Sequence, residues 1–225
     1  MKFSNDLISI LKNFANTSNV IHIKKGNVLT VLSSSEHFYG KATVVEEFPH
    51  PVLLYDVMKF LGIIGLLPNA EIEIGEHSLT MKSGSNTIEF LYSEAFLVPE
   101  TPTVRLNPDN HCLKCTLTNT VLETAQRAAL LFSAKTVSIT GDGETAKLIV
   151  GNTSIANRTD NYQHVIGPCT ETFNYLFTLD KLKIIPDTYE VVMGSRGTGD
   201  EAMGIMHMKG KLAEYWIVCD PESTL

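Results

Sequence analysis

The chain predicts an α+β fold built from two similar domains, and three observations carry that prediction. An amphipathic helix near the start is written again halfway along. Short alternating strands separated by turn residues fill most of what lies between. A proline-rich stretch divides the two halves.

The helix is predicted over Ser4 to Asn16. Leu7, Ile8, Ile10, Leu11, Phe14 and Ala15 fall on one side of a 3.6-residue wheel, and Asn5, Asp6, Ser9, Lys12, Asn13 and Asn16 on the other. Ser4 is placed to cap it, and Asp6 sits where the helix dipole favours an acid. Thr118-Asn119 repeats Ser4-Asn5. Val121, Leu122, Ala125, Ala128 and Ala129 repeat the apolar face, and Asn119, Glu123, Gln126 and Arg127 the polar one. An echo displaced by half the chain is the mark of two similar domains.

Val20 to Lys24 reads as a strand. Lys25-Gly26-Asn27 reads as a tight turn returning Val28 to Leu32 as its hairpin partner. His37 to Val45 is a third strand, and Glu46 to Pro51 a connector. Val52 to Leu67 is strongly apolar but interrupted by Asp56, Lys59, Gly62 and Gly65. It is short of the ~20 residues that span a bilayer and predicts a core helix, better formed before Gly62. Ala70-Ile74, Ser78-Lys82 and Thr87-Tyr92 complete a meander. Ser93 to Asn110 holds Pro99, Pro102 and Pro108, which remove ladder donors, so it predicts an extended connector. The expected domains are 1–108, with the connector from about 93, and 109–225.

The second half predicts a strand at Cys112-Leu117, the repeated helix over Thr118-Phe132, and a hairpin of Thr136-Thr140 with Ala146-Val150. Ser154-Asn157 continues it, and Arg158-Pro168 reads as a polar loop. Thr172-Phe177, a short helix at Leu179-Ile184, and strands at Tyr189-Met193, Ala202-Met208 and Leu212-Cys219 follow. Both late helices carry an aspartate near the start (Asp56, Asp180) and run through a proline turn into a strand. Within each half the order strand, helix, three strands is itself nearly doubled.

Composition narrows the function. A chain of 225 residues with 44% hydrophobic content can bury two cores of about 110 residues each. Its net charge of −7 argues against gripping nucleic acid over the whole surface, while leaving room for a local basic strip. Four irregularly spaced cysteines fit a reducing compartment. Met1-Lys2-Phe3 leads straight into the helix, so no signal peptide is expected.

Three stretches, MKFSNDLISILKNFANTSNVIHIKKGN, LLYDVMKFLGIIGLL and EYWIVCDPESTL, resemble the DNA polymerase sliding clamps of T4-type bacteriophages, within the PCNA-like clamp family. The resemblance runs over essentially the whole chain. It implies two clamp domains, each a duplicated β-α-β-β-β unit with helices on the inner face and antiparallel sheets outside, in a homotrimeric ring around double-stranded DNA. It further implies a non-enzymatic processivity factor that takes no cofactor, is tethered to the viral DNA polymerase and is opened by an ATP-dependent clamp loader. Late transcription factors would share it, in the cytoplasm of the infected bacterial host and away from membranes.

A ring that slides must hold phosphates without reading bases, so its lining needs separated cations on rigid helices. Lys12, Lys59, Arg127, Lys181 and Lys183 are the polar-face cations of the four predicted helices, and Lys2 lies just ahead of the first. The same residues also fit ordinary solvated helix faces. No aromatic platform for single strands accompanies them. Family clamps bind partner peptides in an apolar outer pocket near the connector. The residues here would be Phe96, Leu97, Val98 and Pro99, with Cys219, Asp220 and Pro221 at the C-terminus. Phe96 and Leu97 fit equally well as staples that hold the connector to the core.

Two further motifs carry less. His111-Cys112-Leu113-Lys114-Cys115 looks like half a zinc site, but Cys169 and Cys219 are single and distant, so no metal is expected. Gly194-Ser195-Arg196-Gly197-Thr198-Gly199 lacks the Lys-Ser/Thr ending of a phosphate loop and joins two strands. It supports the alternative of a small soluble anion- or nucleotide-binding enzyme. A duplicated virion protein is the third reading.

Overall fold

In the computed structural model, residues 1–102, 107–151, 160–197 and 202–223 are described. The chain forms two compact units, Met1–Val104 and Arg105–Leu225.

In the first unit, α1 (Asn5–Ala15) is capped as its sequence dictates: the Ser4 hydroxyl accepts the Leu7 N–H at 3.1 Å. The Ser4 N–H in turn donates to the buried Glu46 carboxylate at 2.6 Å. Leu7, Ile10, Leu11 and Phe14 are buried against α2 and β3. The strands are β1 (Ile21–Ile23), β2 (Gly26–Leu32), β3 (Phe38–Phe48), β4 (Val52–Leu54), β5 (Glu71–Ile74), β6 (Ser78–Ser83) and β7 (Asn86–Leu91), with α2 (Val57–Leu66) between β4 and β5.

The hairpin expected around Lys25-Gly26-Asn27 does not form. β1 pairs with β4, setting Ile21 opposite Leu54 and Ile23 opposite Val52, while β2 pairs with β3. Gly26 is no turn tip: it already opposes Phe48, and its φ of +114° turns the chain from one ladder into the other. The apolar run Val52–Leu67 also divides. Its first three residues are β4. Asp56 starts the helix by accepting the Lys59 N–H at 2.8 Å, and the helix passes through Gly62 to end at Leu66.

The second unit holds β8 (Asn110–Leu117), α3 (Asn119–Leu131), β9 (Thr136–Asp142), β10 (Thr145–Val150), β11 (Tyr162–Pro168) and β12 (Thr172–Thr178). A 3₁₀ turn at Leu179–Leu182 leads to β13 (Tyr189–Arg196), β14 (Met203–Lys209) and β15 (Ala213–Val218). The antiparallel orders are β11-β10-β9-β12 and β15-β14-β13-β8. Asp142 closes the β9–β10 hairpin. Its carboxylate accepts from the backbone of Thr145 and Glu144, which with Lys147 holds it well below the usual carboxylate range.

Three expectations change here. Most of the polar loop at Arg158–Pro168 is strand β11. Its apolar signal is weak because none of its seven residues is buried; all are half-buried or exposed. The helix at Leu179–Ile184 is a single 3₁₀ turn. Gly194, Ser195 and Arg196 belong to β13, paired with Ile205, Gly204 and Met203. Ser154–Asn157 lies outside the described residues.

The duplication is visible in the ladders. Unit two reads β-α-β-β-β and then β-3₁₀-β-β-β. Unit one reads α-β-β-β and then β-α-β-β-β, with Met1 in the place of β8: it exchanges two bonds of 2.7 Å with Ile72 of β5, as β8 pairs along β13.

One titrating group bears on stability. His207 stacks on Trp216 at 4.5 Å and lies 3.3 Å from the Glu214 carboxylate. Burial lowers its pKa, against the pull of Glu214. The unfolded chain, with an ordinary value of ~6.5, then binds more protons than the native one. Stability rises with pH through that region and is lost as pH falls below it. The thermal midpoint should fall between pH 7.5 and 5.5, and His207→Phe, which keeps a stacked ring, should reduce the slope. An unchanged slope would remove His207 as its source.

Candidate functional site

The candidate cations sit on three helices and beside them. Lys12 lies in the last turn of α1 and Lys59 in the first turn of α2, both exposed. Arg127 projects from α3, with its guanidinium 3.8 Å from Glu123 one turn back. Both side chains are exposed, so that pair holds it weakly and leaves the charge available to a phosphate. Lys2 is exposed ahead of α1. Lys183 reaches Asp180 at 2.8 Å across the surface.

Lys181 has a different role from the one its sequence position suggested. It is only 16% exposed, with its ammonium 2.7 Å from Asp220 and 3.1 Å from the Val218 carbonyl. Asp220 also accepts from the Thr178 hydroxyl. Lys181 therefore ties the C-terminal segment to the 3₁₀ turn, as Thr178 ties it to β12, and is withdrawn from the cationic set. A side chain four bonds long can turn either way from a 3₁₀ turn, and only the position of Asp220 decides which.

On the connector, Phe96 is 81% exposed, and Leu97 also faces solvent. The staple is their neighbour Val98, which is fully buried and whose carbonyl meets His22 Nδ1 at 3.2 Å. Pro99 is exposed. In the second unit Cys219 is buried, Asp220 is engaged as described, and Pro221 is exposed.

Cys112 and Cys115 are not arranged as metal ligands. The Cys112 thiol contacts the Tyr175 hydroxyl at 3.6 Å and the Met193 carbonyl at 3.5 Å. Burial pushes Cys115 up to about 11, which keeps it a thiol. Among the described residues, no group of three or more His, Cys, Asp or Glu could hold a metal ion, and no helix is long and apolar enough to cross a membrane.

The structure adds two strand edges that the sequence did not single out. β7 pairs with β6 and β11 with β10, each on one side. Two other outer strands are covered at points along their length: the Ser93 N–H reaches the Leu53 carbonyl on β4, and on β12 Asp220 and Ser223 bond both backbone groups of Leu176. β7 ends in Leu91, 70% exposed, and α2 in the same unit ends in the exposed Leu66. β11 carries Val165, 58% exposed, and α3, which packs on it, ends in the exposed Leu130 and Leu131. The signal was present at α3: its last two leucines fall after the buried face has closed at Ala129.

No protein-family model matches the chain. It is 24% identical to the sliding clamp of Vibrio phage KVP40, over 98% of this chain and 99% of that protein. It is 24% identical to the sliding clamp of Enterobacteria phage T4, over 100% of this chain and 99% of that protein. Among solved structures, the Proliferating Cellular Nuclear Antigen of Entamoeba histolytica matches with a TM-score of 0.67 at 12% identity, over 97% of both chains. The fold is that of a DNA sliding clamp. The chain resembles the phage clamps from end to end. The likeness agrees with a protein that holds without catalysing. It gives no support to an enzyme built on Gly194–Gly199, a stretch whose first three residues are spent on the β13–β14 ladder.

Proposed function

We propose that the chain acts as a sliding clamp: three copies close head to tail into a ring around duplex DNA and tether a DNA polymerase. The observation that carries it is the pair of unlike bare edges, β7 in one unit and β11 in the other, each with exposed leucines at a helix end in the same unit. An uncovered edge invites pairing, and two different edges on one subunit make a heterologous contact, which closes when the rotation allows. Light scattering across a dilution series tests it. A species of three subunits that dissociates on dilution is expected, and a strict monomer at every concentration overturns the reading.

Lys12, Lys59 and Arg127 then face the DNA, with Lys2 and Lys183 as minor contributors. So few cations give a weak, salt-sensitive grip: log affinity falls by ~0.9 per log salt for each phosphate neutralised. Lys12→Glu with Arg127→Glu should leave the trimer intact and lower retention on circular DNA at least ten-fold. Unchanged retention would move the DNA surface elsewhere.

Phe96 and Leu97 offer an apolar anchor for a partner peptide, the mode by which the polymerase would be held. Phe96→Ala should lower polymerase stimulation without changing the mass of the ring, and full stimulation would exclude that anchor. Opening by an ATP-dependent loader, a role in late viral transcription and a place in the infected cell's cytoplasm complete the proposal, all resting on the phage resemblance.

A further inference from the structure

Resting on the docking role proposed for the connector, we infer that the turn from Glu94 to Val98 is a preformed apolar knob that enters a groove on the polymerase, and that His22 holds it in shape. This chain then supplies the anchor and the partner supplies the pocket. Phe96 is 81% exposed at the crest and Leu97 43%. A side chain that lines a cavity is covered by the wall opposite, so Phe96 lines none and stands out from the surface.

The turn is built to keep its shape. The Leu97 N–H donates to the Glu94 carbonyl at 3.0 Å and the Val98 N–H to the Ala95 carbonyl at 3.2 Å. Both bonds close one tight turn with Phe96 and Leu97 on its outside. Ties on either side fix it to the first unit. Before it, the Ser93 N–H reaches the Leu53 carbonyl of β4 at 3.1 Å. At its end the Val98 side chain is fully buried, and its carbonyl meets His22 Nδ1 at 3.2 Å. A carbonyl only accepts, so Nδ1 carries the proton and donates. His22 is itself firmly placed, because Ile21 and Ile23 on either side are buried in the β1–β4 pair. Beyond the turn Lys24 reaches Glu100 at 2.8 Å, an exposed pair that adds little alone. A knob held in this way loses little freedom on docking, which is how preorganised contacts gain affinity. Glu94 is exposed beside the crest, so a groove with a basic rim matches it in charge.

A head-to-tail cyclic octapeptide, Ser-Glu-Ala-Phe-Leu-Val-Pro-Glu, copies residues 93–100. At millimolar concentration it should inhibit ring-stimulated synthesis while leaving the polymerase's unaided synthesis unchanged. Versions with alanine for phenylalanine, or lysine for the first glutamate, should inhibit far less. In the full-length protein, His22→Ala should raise the ring concentration needed for half-maximal stimulation roughly five-fold, the worth of one hydrogen bond, at an unchanged plateau. Hydrogen exchange at the Val98 amide should quicken by a similar factor while α1 stays protected. His22→Asn, whose side-chain amide can still donate, should recover most of both. The peptide reads out the knob even if His22→Ala folds poorly. Full stimulation by Phe96→Ala would sink the docking role itself. With Phe96→Ala impaired, an inert cyclic peptide, or equal inhibition by either altered version, overturns the knob, and a His22→Ala ring that works at wild-type concentrations removes His22 from its support.

Discussion

Val165→Asp should hold the protein as a monomer at concentrations where the wild type is a ring. Val165 stands exposed on β11, whose far edge has no partner among the described residues, and Leu130 and Leu131 are exposed at the end of α3, which packs on β11. In a closed ring each subunit offers one such edge, so one substitution strikes every interface. Losing the buried valine costs about 1.5 kcal/mol, and an unpaired carboxylate in its place adds several more. A loss of about 3 kcal/mol per interface weakens each contact more than 100-fold. Because Val165 is solvent-exposed within the subunit, the monomer's own thermal midpoint should hardly move. Leu91→Lys on β7 supplies the complementary test. If β7 of one copy meets β11 of the next, the double variant regains part of the trimer, read by light scattering. An unaltered trimer in Val165→Asp would clear β11 of any part in assembly.

Gly194→Ala should be among the most destabilising single methyl additions in the chain. A Cβ at this position would lie 1.6 Å from the Asn110 carbonyl oxygen, 2.7 Å from its carbon and 3.0 Å from Pro108 Cβ. The obstacle is backbone, where β8 and β13 come together at an irregular register between Met193 and Gly194, so no rotamer change relieves it. Overpacking costs 1–3 kcal/mol and occasionally more. With ~3 kcal/mol and about 2–4 °C per kcal/mol for a chain of this size, the midpoint should drop by roughly 6–12 °C. Gly62→Ala is the contrast. It lies inside α2 with nothing within 4 Å of an added Cβ, and should gain up to ~1 kcal/mol of helix propensity. A Gly194→Ala protein as stable as wild type would mean that β8 does not approach β13 here. The glycine-rich stretch that looked like a phosphate loop thus needs its first glycine for strand packing.

Local rules carried most of the element reading. The two long helices begin where Ser4 and Thr118 place their hydroxyls and bury the faces their 3.6-residue period marks. The β9–β10 hairpin follows from Asp142-Gly143. Pairing was less legible. Ile21 and Ile23 alternate correctly for a strand, but nothing within reach of β1 says that Leu54 and Val52 are its partners instead of Val28 to Leu32. β11 was missed because none of its residues is fully buried, so no apolar face had to be written there. Among the candidate cations, the exposure of Lys12 and Arg127 was readable from helix phase, whereas the engagement of Lys181 depended on Asp220, 39 residues away.

The sequence by itself determined the doubled helix-and-strand order, the caps and the apolar faces, because each is written within a few residues and repeats at a fixed local period. Only the tertiary structure decided which strands share a ladder and which edges and leucines stay bare. Exposure at Leu91, Val165 and Leu131 is set by neighbours distant in the chain, and a period of two names a residue's face without naming its partner.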